Sequence, residues 1–206
     1  MRDGGRGFRR PVEAASIDAG LGAQEQKEDC LELKGKRIAV LAEDLYEDIE
    51  LWYPMMRMRE AGAEVSVLGA GKGKSGYKGK HGLPISTDGS TDEASADDYD
   101  AVIIPGGYSP DRMRRHSSLI EFVKTLHDRG AVVAWICHGG WVPVSAGVVE
   151  GRKVTSFFSI RDDMENAGAT WLDEEVVRDG NLVSSRYPDD LPAFCRTIID
   201  ALAESD

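Results

Sequence analysis

Ala134-Trp135-Ile136-Cys137-His138-Gly139-Gly140-Trp141-Val142-Pro143 is the stretch on which the reading of this chain turns. The apolar run from Ala131 to Ile136 stops at a cysteine, a histidine and two glycines. That pattern predicts a buried strand, a tight turn and a helix just beyond it, an elbow that holds one side chain over a helix N-terminus. A cysteine held there has its thiolate favoured by free backbone N–H groups and by the helix dipole. The arrangement is that of a serine-hydrolase nucleophile elbow with sulfur in place of oxygen.

The flanking sequence alternates in the same way. Arg37 to Ala42 predicts a central strand. Glu47 to Glu60 predicts an amphipathic helix with apolar positions 49, 52, 55, 56 and 58, stopped by Gly62. Ala63 to Leu68 is a second strand, and Gly69 to Gly82 a glycine- and lysine-rich loop with short hairpin strands at its end. The lysines read as a solvated face, since no strand-GxxxxGK[ST]-helix context surrounds them. Asp100 to Ile104 is a strand closed by Pro105-Gly106-Gly107, and Leu119 to Arg129 a helix. Beyond the elbow come a helix to Ala146, a strand at Lys153 to Ser156 and a helix at Ile160 to Ala167. Strands at Glu175 to Val177 and Leu182 to Ser184 precede a helix from Asp190 to Glu204. Alternating short apolar strands and helices imply an α/β fold, a doubly wound, mainly parallel sheet with helices on both faces.

The 206 residues are 41% apolar and 30% charged, which suits one domain of residues 34–206 behind an N-terminal extension, 1–33, expected to be flexible or an oligomer arm. The formal charge of −11 disfavours nucleic acid and anionic membrane as partners. No run is apolar enough for a membrane span, and the N-terminal arginines lack the apolar core of a secretory signal. Three widely spaced cysteines, Cys30, Cys137 and Cys195, fit a reducing cytoplasm and not a disulfide scaffold. No metal site and no cofactor are expected.

Active groups of an open α/β sheet gather at the carboxyl ends of its strands. Three segments end there: Glu43 to Glu47, Pro105-Gly106-Gly107, and Cys137-His138. Gly106 and Gly107 let backbone approach a substrate, so the Gly107 N–H is expected to join that of His138 in an oxyanion hole. Glu47 has two readings. Ionised, it would repel a thiolate and raise the cysteine pKa; protonated in a dry pocket, it would donate to the sulfur and act as general acid. Asp44 and Asp48 are expected to cap the helix or pair with its dipole. The histidines are His81, His116, His127 and His138, and none follows the elbow, which argues against a class I glutamine amidotransferase.

These residues resemble a known family. Tyr46-Glu47-Asp48-Ile49-Glu50-Leu51, Gly79-Lys80-His81-Gly82, Ile104-Pro105-Gly106-Gly107, Ile136-Cys137-His138-Gly139, Ser145-Ala146-Gly147-Val148, Asp162 to Gly168 and Val183-Ser184-Ser185-Arg186 together are similar to the ThiJ/PfpI superfamily, specifically its PfpI intracellular-protease branch. The group includes relatives of the parkinsonism-associated deglycase and glyoxalase III. The resemblance implies a flavodoxin-like sheet of class I glutamine-amidotransferase-like architecture, and a homodimer or a hexamer of dimers. It implies Cys137 as nucleophile, Glu47 as the acid hydrogen-bonded to it, His138 beside it and Gly107 as oxyanion donor. Asp111 stands where the branch has a Glu that reaches a neighbouring subunit's histidine. Gly140 and Phe157 depart from the family's usual Pro and Tyr.

Three functions follow as expectations. The first is a cofactor-independent, cysteine-dependent enzyme of carbonyl stress, acting on a small aldehyde as a glyoxalase III (methylglyoxal to lactate) or on glycated protein as a deglycase. The second is a PfpI-type intracellular cysteine peptidase acting on peptides. The third, of another class, is a redox-sensing stress chaperone with an exposed low-pKa thiol.

Overall fold

The computed structural model describes residues 32–204. The expectations for residues 1–31, Cys30 among them, lie outside the described residues. Leu33, just ahead of the expected domain start, is already fully buried and its N–H donates to the Ala61 carbonyl at 2.9 Å.

In chain order the strands are β1 (Arg37–Ala42), β2 (Glu64–Gly69), β3 (Gly76–Lys78), β4 (Pro84–Ser86), β5 (Gly89–Ser90), β6 (Ala101–Ile104), β7 (Val132–Ile136), β8 (Lys153–Val154), β9 (Thr170–Trp171), β10 (Val176–Asp179) and β11 (Leu182–Ser185). The α-helices are α1 (Asp48–Glu60), α2 (Ser109–Met113), α3 (Ser117–Asp128), α4 (Trp141–Ala146), α5 (Arg161–Asn166) and α6 (Leu191–Ala203). The main sheet has seven strands in the order β10-β11-β7-β6-β1-β2-β5, and only β10 runs antiparallel to its neighbour. This is the doubly wound, mostly parallel sheet expected. The short α2, β5 and β9 carry too little periodicity to be read from sequence.

Period-two alternation divides the sheet into two cores. Ile38, Val40, Ala134 and Ile136 face a cluster with Leu51, Met55 and Met58 of α1 and Phe194 and Ile198 of α6. Ala39, Leu41, Val133 and Trp135 face the other, with Leu119, Phe122 and Val123 of α3 and Met164 of α5. Both faces are covered, so the strands read as continuous apolar runs.

Helix α1 departs from the expected apolar face. Its buried residues are Glu50, Leu51, Pro54, Met55 and Met58, whereas Ile49 is 49% exposed and Met56 57% exposed. The buried stripe keeps the helical spacing but is rotated from the one expected, and it carries a glutamate. The glycine- and lysine-rich segment forms the β3–β4 hairpin, and Lys74 pairs with Asp44 at 2.6 Å. Asp48 lies in the first turn of α1, as expected for pairing with its dipole, but neither aspartate caps the helix, whose N-terminus has no side-chain cap. Instead Asp48 accepts the N–H groups of His81 and Leu83, both at 2.9 Å, and Asp44 accepts that of Lys78 at 3.0 Å. The two aspartates tie the hairpin to the sheet end.

The strand order reverses between β1 and β6, and the carboxyl ends of β1, β6 and β7 meet there. That is where an open α/β sheet places its ligand.

Candidate active site

Cys137 directly follows β7 with a φ of +60°, in the left-handed region uncommon for a non-glycine residue. Such strain is held only where surrounding structure over-determines it. Gly139, two residues on, packs so tightly that an added Cβ would lie 2.6 Å from the Ile104 carbonyl oxygen. The elbow is therefore clamped between β6 and β7. A short 3-10 turn, Cys137–Gly140, leads into α4.

The thiol opens into a cavity of 510 Å³ whose walls include Glu47, Glu50, Lys80, Gly107, Tyr108, His138, Phe157, Ser159, Tyr187 and Pro188. Cys137 itself is only 9% exposed. Burial first, and then the charge of Glu50, push its thiol well above the ordinary range, while the backbone N–H groups of His138 and Gly107 favour the thiolate. Removal from water and a neighbouring carboxylate thus work against the thiolate that the helix N-terminus was expected to favour. The two amides expected to form an oxyanion hole do converge at this corner, and both act on the sulfur.

The carboxyl beside the sulfur is that of Glu50, not Glu47. Glu50 is fully buried, and its Oε2 accepts the Gly106 N–H at 2.8 Å while its Oε1 has no hydrogen-bond partner. Burial raises its pKa to about 7, against the pull of the Gly106 N–H. Glu47 sits one turn earlier at the cavity wall, ion-paired to Lys80 and 3.4 Å from His81 Nε2. The two glutamates are three residues apart on one helix face, so sequence spacing alone does not separate them. The signal that picks out Glu50 is its place on the stripe of Leu51, Pro54, Met55 and Met58, where a charged residue is costly unless used.

Gly106 makes this approach possible. A Cβ there would lie 2.7 Å from Glu50 Oε2 and 2.8 Å from Cys137 Cβ. Gly107 has φ +75° and bridges to Tyr46, and a Cβ on it would meet the Leu45 carbonyl at 2.5 Å.

His138 Nδ1 lies 3.3 Å from Cys137 Sγ, and Nε2 lies 3.1 Å from Ser159 Oγ. Its ring packs edge-on against Trp141 at 5.2 Å and lies tilted by 31° against Phe157 at 5.1 Å. Burial, then the charge of Lys80, lower its pKa and favour the neutral ring. Asp111 is exposed on α2, ion-paired to Arg115 of the same chain, and is not among the residues lining the cavity. Gly140, in the family's proline position, has a φ of −56° that proline would accept. A side-chain carbon there, however, would fall 1.9 Å from the Met164 methyl. Among the described residues one group has metal-ligand proximity, Glu47, Asp48 and His81. The Asp48 oxygens already accept backbone N–H groups and Glu47 already faces the Lys80 ammonium, so that group does not make a prepared cation site.

The family model described as DJ-1/PfpI matches residues 36–201. The chain belongs to the DJ-1/PfpI family. It is 45% identical over 166 residues to "Deglycase PfpI" of Pyrococcus furiosus, covering 81% of this chain and 99% of that protein. It is 43% identical over 169 residues to "Protein/nucleic acid deglycase 2" of Escherichia coli, covering 81% and 98%. "General stress protein 18" of Bacillus subtilis is 44% identical over 164 residues, covering 79% and 95%. Among solved structures, Drosophila melanogaster DJ-1beta superposes with a TM-score of 0.76 at 29% identity, covering 82% of this chain and 90% of that one. A two-domain protein of Anabaena variabilis with DJ-1/ThiJ/PfpI-like and ferritin-like domains superposes at 0.79 with 44% identity. The match spans 81% of this chain and about half, 48%, of that one. Among the described residues no helix is long and apolar enough to cross a membrane.

Proposed function

We propose that this DJ-1/PfpI protein is a cofactor-independent cysteine enzyme of carbonyl stress that attacks the aldehyde carbon of methylglyoxal, or the carbinol carbon derived from it in early protein adducts. The observation that carries this reading is the buried pair of Glu50 and Cys137 in a confined cavity. A carboxyl with a pKa of about 7 is half protonated near neutrality, so it can supply a proton where a solvent-exposed glutamate cannot. With Glu50 protonated, its repulsion of the thiolate vanishes and its free oxygen can donate to sulfur.

Cys137 Sγ then adds to the aldehyde carbon. The C–S bond forms, the carbonyl π pair becomes the hemithioacetal oxygen, and Glu50 or His138 supplies its proton. For methylglyoxal, a proton then moves from the carbon bonded to sulfur to the adjacent carbon through an enediol. The resulting lactoyl thioester is hydrolysed by water to lactate and free Cys137. The Gly107 and His138 amides would stabilise the oxygen-centred charge in both additions. In an early adduct the former aldehyde carbon is a carbinol bonded to the protein. The C–S bond to Cys137 forms as the C–N or C–S bond to the protein breaks, Glu50 protonates the departing amine, guanidine or thiol, and the enzyme-bound hemithioacetal continues to lactate as above. Relatives named as deglycases support this second substrate class.

A peptidase remains a second reading, favoured by the 3.3 Å approach of His138 to the thiol. The sensor reading has less behind it, because Cys137 is buried and its thiol is raised, not lowered. A homo-oligomer belongs to this proposal and to the peptidase reading alike, and a cross-subunit carboxylate from Asp111 belongs to the peptidase reading.

The test is a methylglyoxal-to-lactate assay beside an adduct-release assay and hydrolysis of an unstructured peptide. Wild type should make lactate or release adduct, Cys137→Ala should do neither, and peptide hydrolysis should be the minor activity. Lactate formation that survives in Cys137→Ala, or peptide cleavage as the dominant activity, would sink the proposal.

A further inference from the structure

Ser159 has no part in the chemistry described so far, yet its hydroxyl sits 3.1 Å from His138 Nε2 while the other ring nitrogen faces Cys137 Sγ at 3.3 Å. Ser159 is exposed at the rim of the same cavity. Sulfur, both ring nitrogens and the hydroxyl thus form a continuous line from the buried thiol to water. We infer that Ser159 is a positioning residue that sets the tautomer of His138 and links the Cys137 proton to solvent, so that thiolate forms without an imidazolium.

A hydroxyl both donates and accepts, whereas a carboxylate only accepts. With Cys137 as thiol, S–H donates to Nδ1 and Nε2–H donates to Ser159 Oγ. Thiolate formation moves one proton from Sγ to Nδ1, one from Nε2 to Oγ and one from Oγ to water. The ring ends neutral, with Nδ1–H donating to sulfur and the hydroxyl donating to Nε2. Three bonds to hydrogen break, three form, and the net change is one proton delivered to water. A neutral ring suits this place, where burial and Lys80 disfavour positive charge on His138. Ring contacts with Trp141 and Phe157 restrain the imidazole in this orientation. The charged and titratable groups facing the relay across the cavity are Glu47, Glu50, Lys80, Tyr108 and Tyr187.

The inference rests on Cys137 being the reacting thiol but not on the identity of its substrate. The test therefore uses iodoacetamide, with alkylation of Cys137 read at peptide level between pH 6 and 9, and lactate formation measured separately. Loss of one hydrogen bond to the thiolate's partner should slow Ser159→Ala alkylation roughly five- to tenfold at pH 7. Ser159→Thr, which keeps the hydroxyl, should stay within twofold of wild type. Ser159→Asp should restore a fast rate but with a new titration, because a carboxylate stabilises the imidazolium that the hydroxyl avoids. The rate of lactate formation in mixtures of light and heavy water should curve for wild type, several protons moving together, and straighten for Ser159→Ala. An alanine variant that alkylates within twofold of wild type, with an unchanged pH profile, overturns the relay. Absence of lactate from wild type with Ser159-dependent alkylation would overturn the substrate assignment and leave the relay standing.

Discussion

Glu50 and Cys137 meet across the bare backbone of Gly106: the Gly106 N–H holds Glu50 Oε2 at 2.8 Å, and a Cβ on that glycine would lie 2.8 Å from the Cys137 Cβ. The carboxylate raises the thiol, and its own proton is retained to about pH 7 by burial. Near neutrality the thiol keeps its proton while Glu50 is part-protonated, and each group's charge bears on the other's titration.

Glu50→Gln removes the proton source and should lower turnover at least a hundredfold, with Cys137 alkylating more readily because the neighbouring charge is gone. Glu47→Gln, which loses only the contacts to Lys80 and His81, should cost less than tenfold. Steady-state kinetics on the two variants, side by side, make the comparison. Equal losses would return the catalytic assignment to Glu47.

The raised Glu50 pKa also makes a stability statement. A carboxyl at 4.5 when unfolded and about 7 when folded binds more protons in the native state, so its contribution is fully present below pH 4.5 and lost as pH rises through 7. The buried charge then costs about 3 kcal/mol. Melting temperatures of wild type and Glu50→Gln should diverge between pH 4.5 and 7, with the glutamine variant gaining, and run parallel above. Curves parallel throughout would mean that Glu50 titrates as an ordinary surface acid.

Gly106→Ala places a methyl group 2.7 Å from Glu50 Oε2. Overpacking of this kind should cost about 1–3 kcal/mol in denaturant unfolding and abolish activity, because the pair is driven apart. An active alanine variant would show that the approach of Glu50 to Cys137 is dispensable.

Arg186 binds the nearly buried Asp190 through Nε at 2.9 Å and Nη2 at 3.2 Å, and binds Asp173 at 2.7 Å. Between the paired residues lie Tyr187 and Pro188, which line the cavity. Arg186→Met should cost about 3 kcal/mol, since it leaves Asp190 without its partner, and should raise KM more than it lowers kcat. Lysine cannot reproduce the two-point contact and should recover only part. Urea unfolding with parallel kinetics reads both effects, and a methionine variant within 0.5 kcal/mol of wild type would remove the clamp from the account.

Gly140→Ala puts a carbon 1.9 Å from the Met164 methyl, and shortening Met164 makes room for it. The double variant Gly140→Ala with Met164→Ala should be less destabilised than the sum of the single changes by about 1 kcal/mol or more. Strict additivity would mean that the two positions do not touch.

Much of this was legible in one dimension. The elbow, the parallel strands, the glycine pair and the nucleophile candidate all follow from local patterns, in which apolar runs stop at residues that turn. The acid beside the sulfur did not follow. Glu47 and Glu50 share a helix face, and which of them enters the core depends on how α1 is rotated against β1 and β2. Ile49 and Met56 exposed, with Glu50 buried, is an outcome of that rotation. The hairpin contacts of Asp44 and Asp48, made to residues more than thirty positions away, were likewise invisible to local rules.

By itself, then, the sequence determined the doubly wound sheet and the cysteine at its elbow, because backbone turns and strand periodicity are properties of neighbouring residues. Only the tertiary structure decided that the cysteine is a buried, raised thiol facing Glu50, with His138 held between Sγ and Ser159. Protonation depends on distance and on exclusion of water, and both are set by which distant segments the folded chain brings together.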